Sequence, residues 1–434
     1  MTALKRQRVV IVGAGFGGLR AARAFSGSPV EVLLLSRNNY HTFLPLLHMV
    51  AAAELEPEQI VYPVRRWLRK LPNVQFAIAQ VKQIDLESKS VETDNCLIPY
   101  DFLILATGSA PKFFGVAGAA EYAFPLKTLE EAIALRNHII HCFEQAAQSP
   151  NESRRRSLLT FTIVGGGATG VELAGALAEL IYGNLVKDYS RLNLGKVRLV
   201  LLQAGDYLLP DLPKRLRTYA KTQLRKKGVQ VYLQARVSEV TKEAVHLQDG
   251  IIATETVVWT AGVRGNSLSH LGELPTNNDR VTVLPTLQVP AHPQVYAIGD
   301  LASVKQDGVT LPMLAPVAIL QAKSVAHNIT RQIEGRNPLP WRYQHKGTMV
   351  IIGRHSAVLH AGKLTLTGFP AWILWLVIHL VNLLGFRNRL VVLTNWLWGY
   401  FFCDRPFRLI LPLKSGATSK LDKSNSAQGL THNS

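Results

Sequence analysis

Two glycine-rich turns, about 150 residues apart, constrain this chain more than anything else in it. The first follows Val9-Val10-Ile11-Val12 and reads Gly13-Ala14-Gly15-Phe16-Gly17-Gly18. The second follows Phe161-Thr162-Ile163-Val164 and reads Gly165-Gly166-Gly167-Ala168-Thr169-Gly170, with Val171-Glu172 after it. In each, an apolar β-branched run predicts a buried parallel strand, and small residues stand where a helix must begin. Gly13 and Gly165 allow the tight turn, Gly15 and Gly167 let the backbone touch a pyrophosphate, and Gly18 and Gly170 let helix and strand pack closely. The helix N-terminus then offers free N–H groups and partial positive charge to the phosphates. Two such turns predict two dinucleotides held by one polypeptide.

The chain has 434 residues, enough for two or three domains. An apolar content of 47% places most of it among globular proteins. The net charge of +18 calls for an anionic partner: nucleic acid, a membrane surface or the cofactors themselves. Basic residues form local clusters (Arg65 to Lys70, Arg154 to Arg156, Lys214 to Lys227) with no helix-turn-helix or zinc signature, so nucleic acid is not expected. Cys96, Cys142 and Cys403 form no C-x-x-C pair, which argues against a disulfide framework, a metal site or a redox dithiol. Lys5, Arg6 and Arg8 lead directly into the first strand, so no signal peptide is expected.

The opening unit is predicted as strand 8–12, helix 16–26 and strand 30–35, with further strands at 74–81 and 102–105. Thr128 to Ala146 has the acidic start and apolar spacing of a helix, and Gln148 to Ser157 reads as a polar connecting loop. The second βαβ unit occupies 158–203, followed by a helix at 213–227 and short strands to Trp259. Val295 to Ile298 reads as a buried strand and Ala315 to Ile333 as a helix. The expected organisation is one dinucleotide domain over 1–125 and 266–340, a second over 126–265 inserted within it, an interface and anchoring region over 341–412, and a disordered tail over 413–434. The fold class is therefore α/β, with two Rossmann-like dinucleotide-binding domains and a C-terminal amphipathic helical segment.

That segment changes character. Phe369 to Phe386 carries no formal charge, Arg387-Asn388-Arg389 follow, and Leu390 to Phe402 is apolar again. Trp372, Trp375, Trp396 and Trp398 all lie here. A spanning helix needs about 20 apolar residues, so these stretches suit two short helices, joined by an Arg-containing turn, at a membrane interface. A soluble dimerisation or core helix pair is the alternative.

Two dinucleotide sites make chemical sense if one holds a flavin and the other an exchanging nicotinamide, so that hydride passes between them. Asp300, after Val295-Tyr296-Ala297-Ile298-Gly299, either accepts hydrogen bonds from a sugar-chain hydroxyl or caps a helix ahead of Leu301. Its half of the chain contains the first turn, which favours FAD at Gly13–Gly18. Phe16, Gly17, Val81, Thr107, Gly108 and Ala315 join that candidate site. The carboxylate usual at the end of the second strand is missing from both units, where Ser36-Arg37 and Gln203 stand instead. At the second site Gln203 would relax the exclusion of NADPH. Ala168, Thr169, Ala261 and Gly262 complete the nicotinamide candidates.

These pieces resemble the type II, non-proton-pumping NADH:quinone oxidoreductases from about Arg8 to Pro412. The resemblance is carried by Arg37-Asn38-Asn39-Tyr40-His41 with Pro45-Leu46-Leu47, by Gly165 to Glu172, Trp259-Thr260-Ala261-Gly262-Val263, Leu314-Ala315-Pro316-Val317-Ala318 and Gly385-Phe386-Arg387-Asn388-Arg389. It implies a peripheral membrane flavoenzyme with non-covalent FAD, reducing a membrane quinone with NADH or NADPH, often as a homodimer and on the cytoplasmic face of a prokaryotic membrane. By the same resemblance Asp300 contacts the flavin, Glu172 positions the nicotinamide or is an ordinary helix residue, and Lys346 lies near the flavin or in solvent. Quinone contacts fall on Leu44, Pro316, Leu320 and Gln321, where Leu44 and Leu320 replace residues that are polar in many relatives. A sulfide:quinone or disulfide reductase would need a cysteine pair, a membrane redox sensor would turn over slowly, and a soluble ferredoxin reductase would lack the apolar C-terminus.

Overall fold

The computed structural model describes residues 6–190, 192, 194–266, 274–402 and 405–411. The expected tail at 413–434, and Cys403, lie outside the described residues. The described residues form two compact units, one within Met1–Thr42, Val61–Ala110 and Val263–His345, the other within Phe43–Ile60, Pro111–Gly262 and Lys346–Ser434.

The first unit is built on a six-stranded sheet, in the order Gln288–Val289, His292–Ala297, Phe102–Leu105, Gln7–Val12, Val30–Ser36, Val74–Ile78. All neighbours are parallel except the first pair. Val9, Val10 and Ile11 are wholly buried, as a central strand covered on both faces requires. Helices Phe16–Ala24 and Ala315–Ile333 pack on each other. The single strand expected at 74–81 is two. The Ala79 amide donates to Ser36 O at 3.0 Å and ends the parallel pairing. Gln80 is then held by Asp94, and Val81–Asp85 enters an antiparallel sheet with Ser90–Thr93 and Leu97–Pro99.

The second unit repeats the plan with a five-stranded parallel sheet: Phe124–Pro125, Thr256–Trp259, Thr160–Val164, Arg198–Leu202, Val229–Tyr232. Helix Leu129–Gln148 starts on a capping box, Thr128 accepting from the Glu131 amide and Glu131 from the Thr128 amide. The stretch 148–157, expected as a loop, is largely taken up by helix Glu152–Leu158, which ends one residue beyond it. Asn151 caps it through the Arg154 amide at 3.1 Å, and Glu152 pairs with Arg156 one turn on.

The division of the chain departs from the expected one at three places, each for a packing reason. Residues 111–125 belong to the second unit because Phe113, Val116, Ala119 and Ala123 pack with Val240 and Trp259. Residues 43–60 belong there because helix Leu47–Ala51 packs on helices Leu129–Gln148 and Ala168–Leu180. The C-terminal segment joins the same unit through an antiparallel sheet not anticipated from sequence: Thr348–Gly353, Ser356–Ala361 and Leu364–Thr367. The first of its strands crosses helix Ala168–Leu180 so closely that a Cβ at Gly175 would stand 2.2 Å from Ile352 O.

The two C-terminal helices are Phe369–Asn382 and Phe386–Phe402. The turn between them is Leu383 to Gly385. The Arg387-Asn388-Arg389 run, expected in that turn, begins the second helix, where Arg389 Nε donates to Leu383 O at 2.8 Å. Ala371, Trp372, Trp375, Val392 and Trp396 face inward, while Ile373, Val377, Val381, Leu390, Leu393, Leu397 and Phe401 are exposed at helical spacing. Among the described residues no helix is long and apolar enough to cross a membrane.

Beyond these helices Arg405, 6% exposed, donates to Glu54 at 2.8 Å, to Glu179 at 2.7 Å and to Ala52 O at 3.2 Å. Lys227 adds a second cation to Glu179 at 2.8 Å. Burial pushes the Glu54 carboxyl up despite Arg405, whereas Arg405 and Lys227 together outweigh burial at Glu179 and hold it down. Removing the guanidinium strands Glu54 and leaves Glu179 to Lys227 alone. Arg405→Met should therefore cost about 3 kcal/mol in chemical denaturation, the low end for a broken buried pair because both carboxylates are partly solvated. Adding Glu54→Gln should recover part of that loss.

Candidate functional site: two dinucleotide cradles and a half-buried glutamate

Both sheets present their candidate residues at the carboxyl ends of parallel strands, where ligands of such sheets bind. In the first unit, strand Gln7–Val12 runs into Gly13–Gly18, Val30–Ser36 into Ser36-Arg37, Phe102–Leu105 into Thr107-Gly108, and His292–Ala297 into Gly299-Asp300. Ala315 opens helix Ala315–Ile333, and Val81 is buried at the start of the antiparallel sheet. In the second unit, Thr160–Val164 runs into Gly165–Gly170, Arg198–Leu202 into Gln203, and Thr256–Trp259 into Ala261-Gly262.

The two turns are near copies of each other. Gly13 and Gly165 have φ of +107° and +115°, and their amides donate at 2.8 Å to Leu35 O and Leu202 O of the neighbouring strand. A Cβ at Gly18 would lie 1.7 Å from Gly13 O, and one at Gly170 would lie 1.8 Å from Gly165 O. Only glycine lets the helix cross its own turn so closely. Gly15 and Gly167 are the helix N-caps and provide no side-chain cap, and a Cβ there would have nothing within 4 Å. Each turn therefore exposes uncapped helix N–H groups beside open space of the kind a pyrophosphate fills.

Asp300 does not cap a helix. It lies in the short turn Gly299–Leu301, whose preceding residue is Ile298, and its carboxylate accepts from Ser109 Oγ at 2.6 Å. Gln321, 1% exposed, is committed to the same turn: its side-chain oxygen accepts from the Gly299 amide at 2.6 Å. His41 supports the first cradle, with Nδ1 at 3.1 Å from Ala14 O and its ring edge-on to Phe16. Burial lowers its pKa to about 4, so it is neutral at physiological pH. In the second unit Gln203 Oε1 accepts from the Gly166 amide at 2.8 Å, tying the end of the second strand to the turn.

Glu172 sits in the first half of helix Ala168–Leu180. Its carboxyl accepts from the Ile351 amide at 3.4 Å and lies 3.9 Å from His48 Nδ1. Burial raises the Glu172 pKa to about 8, partly offset by Ile351 and the Trp375 indole. Burial, with His379 and Arg405 nearby, lowers that of His48 to about 3. The pair is therefore uncharged around neutral pH. Both residues line a cavity of about 620 Å³, together with Trp372, Leu376, Trp396 and Tyr400 of the C-terminal helices and the charged Glu54, Glu179, Lys187, Lys227, Arg354 and Arg405. Sequence reasoning missed His48, Glu54, Glu179 and Arg405; the seven-residue spacing of Glu172 and Glu179 is a signal that could have set Glu179 on the same helix face.

The remaining candidates are placed as follows. Leu44 is exposed in the second unit, whereas Pro316 is exposed and Leu320 half-buried on helix Ala315–Ile333 of the first. Lys346 is exposed, just before strand Thr348–Gly353.

Comparison with known proteins agrees with this geometry. Residues 7–322 match the pyridine nucleotide-disulphide oxidoreductase family, and residues 345–405 match the NDH2 C-terminal domain. The chain is 37% identical over 436 residues to the type II NADH:quinone oxidoreductase Ndh of Mycobacterium tuberculosis, covering 96% of this chain and 93% of that one. It is 38% identical to NdhA of the same organism, covering 92% and 88%. NDH2 from Plasmodium falciparum, solved in complex with NADH, superposes with a TM-score of 0.86 at 20% identity over 93% of this chain and all of that one. A sulfide:quinone oxidoreductase from Aquifex aeolicus shares the fold at a TM-score of 0.71 and 19% identity, covering 91% and 95%. These matches define a two-dinucleotide flavoprotein oxidoreductase. The chain belongs to the type II NADH:quinone oxidoreductase family, whose cofactor is FAD.

Two measurements check the site. Gly170→Ala should fail to fold its unit, whereas Gly167→Ala, with open space at its Cβ, should melt near the parent and lose dinucleotide binding in titration. The folded protein holds the Glu172 proton more tightly than the unfolded chain does, so stability falls as pH rises from the ordinary glutamate range through about 8. Glu172→Gln should remove that slope, leaving Tm close to the parent near pH 4.5 and higher than the parent at pH 9.

Proposed function

We propose that this chain oxidises NADH or NADPH and delivers the electrons through FAD to a quinone at a membrane surface, without moving protons across the membrane. The duplicated cradle carries the reading: one polypeptide offers two equivalent pyrophosphate sites, one for a resident and one for an exchanging dinucleotide. FAD, when bound, accepts hydride from the nicotinamide and passes electrons on to the quinone.

The residues of the chain divide that work. At the FAD site, Gly13–Gly18 receive the pyrophosphate, and Asp300, oriented by Ser109, accepts from the sugar chain. Ser36, Arg37, Val81, Thr107, Gly108 and Ala315 complete the surroundings, and Lys346 supplies positive charge toward the flavin. At the nicotinamide site, Gly165, Gly167, Ala168, Thr169 and Gly170 hold the diphosphate, with Ala261 and Gly262 on the adjoining strand end. Glu172 holds a proton at neutral pH and orients the nicotinamide without adding charge. Leu44, Pro316 and Leu320 offer apolar contacts to the quinone, and Gln321 acts by fixing the Gly299-Asp300 turn. The cavity that Glu172 and His48 share with Trp372, Trp396 and Tyr400 has an aromatic side that suits a lipid-soluble acceptor. The exposed apolar faces of those helices suit an interfacial anchor.

Gln203 bears on the choice of donor. A carboxylate there would repel the extra phosphate of NADPH, and an uncharged amide does not. A glutamate could still accept from the Gly166 amide, so Gln203→Glu preserves the tie while adding the charge. Anaerobic mixing of the FAD-loaded enzyme should show both NADH and NADPH bleaching the flavin absorbance. Gln203→Glu should slow the NADPH reaction at least tenfold and spare that of NADH. Failure of NADH to bleach the flavin would overturn the reading.

A further inference from the structure

Helix Lys214–Lys226 has six basic residues and no acidic one among its 13. Leu216, Ala220 and Leu224 bury one side of it, and Lys214, Arg215, Arg225 and Lys226 are exposed on the other. Among the described residues none of these four enters an ion pair. The helix is fixed beside the C-terminal anchor region of the same unit: it packs on strands Ser356–Ala361 and Leu364–Thr367, and Tyr219 Oη lies 3.3 Å from Ser356 Oγ. A Cβ at Gly368 would stand 3.4 Å from that hydroxyl, and Gly368 is the residue before helix Phe369–Asn382. Arg215, four residues before Tyr219, and Lys226, seven after, share its side of the helix. Two uncompensated cations thus share the side of the helix that adjoins the start of a helix whose Phe369, Ile373, Val377 and Val381 are exposed, and Lys214 and Arg225 continue the exposed basic face beside them.

We propose that the basic face of helix Lys214–Lys226 binds anionic lipid headgroups where the neighbouring apolar helices enter the acyl region. This rests on the membrane-surface reading above and adds a lipid preference to it. Apolar insertion acts on any bilayer, whereas lysines and arginines at the headgroup level are attracted only by anionic lipid, and salt screens that attraction. The enzyme would therefore sit most firmly on anionic membrane.

The test is co-sedimentation of the full-length, FAD-loaded protein with vesicles of phosphatidylcholine alone or of phosphatidylcholine with phosphatidylglycerol. The protein should bind the anionic vesicles at least roughly tenfold more tightly, and high salt should erase the difference. The quadruple variant K214Q/R215Q/R225Q/K226Q, which keeps good helix formers, should lose that gain on anionic vesicles and bind neutral ones as before. Its flavin content and NADH oxidation with a soluble acceptor should be unchanged. The charge-preserving variant K214R/R215K/R225K/K226R should bind as the parent does. Equal binding of parent and quadruple variant to anionic vesicles would overturn the proposal and leave the face to an acidic protein partner. Binding of the parent to neither vesicle would instead overturn the membrane-surface reading and this proposal with it.

Discussion

A helix backbone pressed against the carbonyl of its own entry turn is the contact on which both halves of this protein depend. At Gly18 over Gly13, and again at Gly170 over Gly165, the approach leaves no room for a single methyl group. The close crossing points the helix N-terminus along the strand ends, so that N–H groups left over from helix formation converge on one place. The same contact therefore sets both the packing of a βαβ unit and the position of an anion site. Because it occurs twice, at equivalent registers of two parallel sheets, one chain acquires two sites of the same kind by the same physical means.

Around the second of these sites charge is kept to one part of the cavity wall and absent from another. Glu172 and His48, 3.9 Å apart, respond to burial in opposite directions and meet as a neutral pair. Glu54 and Glu179 are handled differently, by a buried arginine drawn in from beyond the C-terminal helices and by Lys227. The Glu172–His48 part of the wall is the part that suits an uncharged ring. The ion-pair cluster at another part of the wall holds the C-terminal segment against the rest of the unit.

The strand–turn–helix units were legible from sequence because their signals are local: a β-branched run, three glycines at fixed spacing, and small residues after them. The helix at Ala315–Ile333 was legible from its periodicity for the same reason. The break after Ile78 was not, because Ala79 and Gln80 choose between partners at Ser36 and Asp94 that lie far away in the chain. The assignment of residues 43–60 and 111–125 to the second unit depends on Trp259, Val240 and two helices, none of which is a sequence neighbour. In the site, the glycine turns, Asp300 and Glu172 were visible as motif members. Gln321 and Gln203 were visible only as residue types, and their hydrogen bonds to Gly299 and Gly166 turn out to brace the turns. His48 and Arg405 carry no local signal, since a lone histidine in an apolar stretch and a lone arginine near a chain end look the same whether buried or solvated.

The +18 charge acquires a structural meaning once it is divided by place. The buried Arg405 and the half-buried Lys227 pair with carboxylates, and arginines such as Arg20, Arg23 and Arg217 lie over aromatic rings. Helix Lys214–Lys226 is different, because its cations face water while its apolar side is already fully engaged. A helix needs no such excess to pack, and like charges four residues apart oppose its formation slightly. The cluster therefore costs the fold a little and contributes nothing to the interior. Its position beside Gly368, where the apolar C-terminal helices begin, is where such a cost is offset if the surrounding phase is itself negatively charged.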